Sequence, residues 1–86
     1  MNSLDSEINM SDENDVQREG MMRYGLTREQ VASANFGQDT LTGMHILQSQ
    51  DRRLTNQAAF AILEGLNRVQ INGITQYNLN RDEVQT

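Results

Sequence analysis

The sequence predicts an all-α protein of three or four helices, over about residues 12–24, 28–35 and 40–71, with polar arms at both ends. Three observations carry this expectation. From Asp39 to Ile71 there is no proline to remove a backbone donor. Within that stretch Leu41, Met44, Leu47, Leu54, Ala58, Ile62, Leu66 and Val69 recur at mostly three- and four-residue steps, the period of one helix face. Residues that cap helices stand ahead of each periodic stretch: Ser11 or Asp12, then Thr27, then Asp39 or Thr40.

Taken in order, residues 1–10 form a flexible acidic arm with Leu4 and Ile8 as isolated apolar points, and residues 11–73 form the helical body. The first helix opens on Asp12-Glu13-Asn14-Asp15, acids that suit the positive end of a helix dipole. It carries Val16 and Met21-Met22 and stops near Gly25, with Leu26 as the apolar residue that often follows a glycine stop. Thr27-Arg28-Glu29-Gln30 is a capping box, the hydroxyl turned inward and Gln30 reaching back. It starts a short helix through Val31, Ala32 and Ala34, ending around Asn35-Phe36-Gly37. The long third helix is interrupted in its stripe by Asp51, and Thr55-Asn56 can cap a fresh start, so a break near 50–56 is left open. Gly73 followed by Ile74 reads as a left-handed stop, in preference to Asn72-Gly73 as a hairpin turn. Residues 74–86 then make a polar C-terminal arm, with Asn80 and Glu83 placed to cap a last turn. No repeat is evident at solenoid periods.

Composition narrows the classes. Leu, Ile, Val and Phe total 19 of 86 residues, a small core for a chain near the lower limit of self-sufficiency. There is no cysteine, and hence no disulfide scaffold or thiolate chemistry. The N-terminus lacks the basic and apolar regions of a cleavable signal peptide, and no apolar run exceeds six residues, so a soluble protein without a membrane span is expected, cytoplasmic or within a virion or other assembly. The formal charge of −5 lies wholly in residues 1–20, where six acids face Arg18; residues 21–86 hold six acids and six arginines. A neutral body without a basic stripe is not expected to bind nucleic acid. All seven basic residues are arginine, which suits planar contacts at protein interfaces.

Chemical motifs are few. His45 is the single histidine, with Leu41 and Ser49 at helical spacing rather than carboxylates, so no nucleophile or acid–base pair is expected and the chain reads as no enzyme. Asp12-Glu13-Asn14-Asp15 fails as a calcium loop, since Val16 and Gln17 occupy the fifth and sixth positions. Neither a metal nor a cofactor is expected. A helix-turn-helix running from Arg28 through Phe36-Gly37 into a helix from Thr40 has suitable lengths, but the second helix would offer Gln38, Asp39, Thr40, Thr42 and His45, without one arginine or lysine.

What remains is Ala58 to Leu63, six consecutive apolar residues. At 100° per residue they occupy the whole circumference of a helix, which then needs partners on every side. The expected contact zone is Leu54, Ala58, Phe60, Ala61, Ile62, Leu63, Gly65, Leu66 and Val69. The function this implies is a structural or adaptor subunit of a multi-chain assembly, a homo-oligomer or part of a larger one, of the kind found in phage virions and secretion tubes. Two other classes fit less of the sequence: a small acidic regulator that blocks a host protein, and the helix-turn-helix DNA binder.

Overall fold

A computed structural model of the chain describes residues 13–85. Among them there are six helices and no strand: α1 (Asp15–Tyr24), α2 (Arg28–Val31), α3 (Gln38–Gln50), α4 (Asn56–Glu64), α5 (Arg68–Tyr77) and α6 (Arg81–Gln85). Four of the six reach seven residues or more. The expected flexible arm at 1–10 lies outside the described residues.

Local side-chain chemistry sets nearly every helix start. Asn14 accepts a bond from Gln17 N at 2.8 Å while the Gln17 amide oxygen accepts one from Asn14 N, so α1 starts at Asp15 rather than at residue 12. Thr27 and Gln30 form the anticipated box at α2, and Asn80 and Glu83 form one at α6. Each reciprocal pair satisfies two donors that the first turn of a helix leaves open. At α3 the cap is Gly37 rather than Asp39 or Thr40; Thr40 sits three residues in and its hydroxyl accepts from Gly37 N at 3.2 Å.

Several expectations need correction. The helix expected over 28–35 ends at Val31. The helix expected over 40–71 is three helices. Its first break, 51–55, falls where one was left open: Asp51 turns extended, its carboxylate accepts from Arg53 N, and Thr55 caps α4 through Ala58 N. The second break, 65–67, was not anticipated; Asn67 and Gln70 form a further capping box that restarts the chain as α5. Gly73 is no stop. It is buried inside α5, which runs on to Tyr77 and ends on Asn78 in the left-handed conformation at φ 56°. The polar arm expected from residue 74 is the end of α5 followed by α6, with Ile74 fully buried and Val84 packed on the core.

The helices pair as three hairpins, each a longer helix followed by a shorter one: α1–α2, α3–α4 and α5–α6. α3 is central and packs against α1, α4 and α5. Asp39 and Arg68 meet at 3.9 Å where α3 and α5 begin, and Gln50 at the end of α3 donates to Leu79 O just past the end of α5, so these two helices run side by side in the same direction. Gln30 and Gln57 bond side chain to side chain between the starts of α2 and α4. Leu26, Val31, Met44, Leu47, Ala59, Phe60, Leu63 and Ile74 form one core, drawn from all three hairpins. Full burial of a Leu- or Phe-sized side chain is worth roughly 1.5–3 kcal/mol, which makes these few residues the main support of the stack.

A glycine occupies the sixth position of each longer helix, and all three are buried. A Cβ on Gly20 would lie 3.1 Å from Val31, one on Gly43 2.9 Å from Leu63, and one on Gly73 3.1 Å from Val84. Glycine there lets the second helix of each hairpin approach the backbone of the first.

Candidate interaction surface

The run Ala58 to Leu63 is covered mostly by its own chain. Ala59, Phe60 and Leu63 turn inward, and the Phe60 ring meets Phe36 at a centroid distance of 6.5 Å. Phe60 and Leu63 are thus core residues in the folded chain, a correction to their place in the expected contact zone. The other faces of α4 stay outside. Ala61 and Gly65 are exposed, Ala58 and Ile62 half-buried, and the four share one side of the helix at steps of three and four. Leu54 and Leu66 are half-buried at its two ends, and Val69 stands on α5, 77 % exposed. The expected zone therefore divides: two residues in the core, and seven at or near the surface on α4, the start of α5 and the connections that flank α4.

Two clefts border this region. One, of about 220 Å³, has an apolar floor of Phe36, Phe60, Leu66 and Ile71, with Asp39 and Arg68 at its edge. The other, of about 310 Å³, lies between Leu54, Ile62 and the start of α6 at Arg81. Both linings mix the two kinds of side chain, with polar and charged groups outnumbering apolar ones: Asp39, Glu64 and Arg68 stand among the first, and Asp51, Arg81 and Asp82 among the second.

The residues weighed for other roles are placed apart. His45 is exposed on α3, and its backbone carbonyl accepts from Ser49 Oγ. No group of three His, Cys, Asp or Glu side chains able to hold a metal occurs among the described residues. For DNA reading, α2 is four residues long, Thr40 is buried, and Asp39 faces Arg68 rather than solvent alone. No helix among the described residues is long and apolar enough to cross a membrane.

One feature escaped the sequence reading. Residues 14–31 and 67–84 align without a gap at an offset of 53, with eight of eighteen positions identical: Asn14/Asn67, Val16/Val69, Gln17/Gln70, Gly20/Gly73, Tyr24/Tyr77, Leu26/Leu79, Arg28/Arg81 and Val31/Val84. The structure repeats with the sequence. Gln17 donates to Val31 O at 2.9 Å and Gln70 to Val84 O at 2.8 Å. Leu26 N reaches Gly20 O at 3.2 Å and Leu79 N reaches Gly73 O at 3.1 Å, behind a left-handed residue in each case. The first and third hairpins are two copies of one unit, a duplication at an offset of 53 residues that lies outside solenoid periods. The signal was the paired N-x-V-Q-x-x-G and L-x-R-x-x-V patterns; two copies separated by a dissimilar hairpin do not register as a regular period.

The chain finds no significant match among family models, curated proteins or solved structures.

Proposed function

We propose that this protein is a non-enzymatic structural or adaptor subunit that works by packing against other protein chains, including copies of itself. The observation that carries this reading is the outer side of α4, where Ala58, Ala61, Ile62 and Gly65 make an apolar strip beside the Leu54–Ile62 cleft. Small residues allow a partner helix to approach closely, and the cleft offers a place for a larger side chain. A virion or secretion-tube setting fits a short subunit of this kind; the acidic-regulator alternative draws on the six N-terminal acids, of which Asp5, Glu7 and Asp12 precede the described residues.

Sedimentation velocity over a wide concentration range tests it. The expected result is species heavier than the 9.8 kDa chain, reduced by Ala61→Glu with helicity unchanged. A chain that stays monomeric throughout, with α4 ordered, would remove self-assembly and favour the regulator.

A further inference from the structure

The connection from α3 into α4 presents two arginines on a fixed frame. Arg52 and Arg53 are exposed, and neither makes an ion pair among the described residues. The backbone beneath them is tied on both sides. Asp51 Oδ1 accepts from Arg53 N at 3.1 Å, and Leu54 N reaches Asp51 O at 3.1 Å. The Gln48 amide spans the connection, donating to Leu54 O at 3.1 Å and to Asn56 Oδ1 at 2.7 Å. A segment held this way has little backbone freedom to lose when it docks.

At the other end of the same hairpin lies the cleft bordered by Asp39, Glu64 and Arg68. Its volume of about 220 Å³ falls below the roughly 300–1,000 Å³ of small-molecule sites, and suits a single long side chain. Phe36, Leu66 and Ile71 on its floor are half-buried, leaving apolar surface for an aliphatic stem and an aromatic ring for a guanidinium plane. Two carboxylates, Asp39 and Glu64, stand against the one cation of Arg68. Asp39 meets Arg68 only at 3.9 Å, while Glu64 is exposed and makes no ion pair among the described residues. An apolar floor with a carboxylate in excess at its rim is the complement of an arginine. α3 has 13 residues, about 20 Å at 1.5 Å each, so the cleft at its start and the arginines past its end do not meet within one molecule.

We infer that this cleft is a docking site for the Arg52-Arg53 connection of a second copy of the chain, one arginine lying along the Phe36–Ile71 floor and pairing with Glu64 at the rim. Charge selects the occupant. The chain leaves an acid unpartnered at one end of its central hairpin and two arginines unpartnered at the other. Residues 1–12 hold Asp5, Glu7 and Asp12 without a basic side chain, and would bring like charge to the rim. With its two surfaces at opposite ends of the hairpin, the contact is heterologous and adds copies head to tail. It rests on the subunit reading and lies apart from the α4 strip.

Charge exchange tests it. In sedimentation velocity the full-length chain is expected to associate as its concentration rises. Glu64→Arg alone, and Arg52→Glu with Arg53→Glu, are each expected to weaken that association at least about tenfold, because each sets like charges face to face. All three substitutions in one chain restore opposite charges across the contact, and association is expected to return to within about threefold of the parent. The three positions are exposed, so every variant is expected to keep its helicity by circular dichroism. A folded triple variant that fails to recover overturns the docking, and so does association indifferent to all the charge changes. If that indifferent association yields to Ala61→Glu, the subunit reading stands without this contact. A parent chain that is monomeric at every concentration sinks both.

Discussion

The first and third hairpins are built from the same parts and stand in different surroundings. Asn14 and Asn67 cap, Gln17 and Gln70 tie the paired helices together, and Gly20 and Gly73 let them close up. The neighbours differ. The third hairpin drives Ile74 into the centre of the core, fully buried, whereas its counterpart Met21 is half-buried beside that core. The first hairpin is overlaid by Phe36, and the third is not. Residues shared by both copies therefore serve the hairpin itself, and residues that differ serve its position in the stack.

The largest test of that division is at the core. Ile74→Ala should cost about 3 kcal/mol, in the range for emptying a fully buried site, while Met21→Ala should cost about 1 kcal/mol. Urea unfolding of the two variants measures both, and equal losses would erase the distinction between the hairpins. A smaller contrast is expected at the glycines. Gly20→Ala pushes a Cβ to 2.8 Å from the Phe36 ring as well as against Val31, and should cost about 2 kcal/mol through overpacking. Gly73→Ala meets only Leu79 and Val84, and the roughly 1 kcal/mol gained in helix propensity should bring its net effect within about 1 kcal/mol of zero. The smallest contrast is at the helix ends. Gly25 at φ 65° and Asn78 at φ 56° occupy the same left-handed site, so Gly25→Ala should lose about 1 kcal/mol and Asn78→Gly should change stability by less than about 0.5 kcal/mol. Thermal melts followed by circular dichroism resolve the first of these changes, and a loss at Asn78→Gly matching that of Gly25→Ala would contradict it.

Much of this molecule was legible before any coordinates, and the part that was not has a physical cause. Helix starts were readable where a hydroxyl or amide cap stands three residues ahead of Gln or Glu, as at Thr27 and Asn80, because the cap is a local interaction. The break at 65–67 was hidden because Ile62, Leu66 and Val69 keep helical spacing across it. Spacing records the phase of a pattern and not the continuity of the backbone beneath. Gly73 misled for a related reason. A glycine at a left-handed stop and a glycine under a crossing helix look alike in isolation; only its correspondence with Gly20 separates them. In the contact zone, the run Ala58–Leu63 was expected to need cover on every side, and the chain itself supplies part of it: α3, with Met44 and Leu47 fully in the core, lies beside Phe60 and Leu63. The cover was underestimated because residues 74–86 were read as an arm, and Ile74 and Val84 were discounted with it.

The capping boxes also bear on how the protein responds to its environment. At α1, α2 and α5 the residue that reaches back is glutamine, and its partner is asparagine or threonine. Amides and hydroxyls carry no charge, so these three reciprocal caps are not ion pairs; the charge at the helix starts comes instead from Asp15 in α1 and Glu29 in α2. Only the box at α6 is built with a carboxylate, that of Glu83. Ionic contacts sit beside these uncharged caps, as Arg18 with Asp15 and Arg28 with Glu13, and between helices, as Asp39 with Arg68.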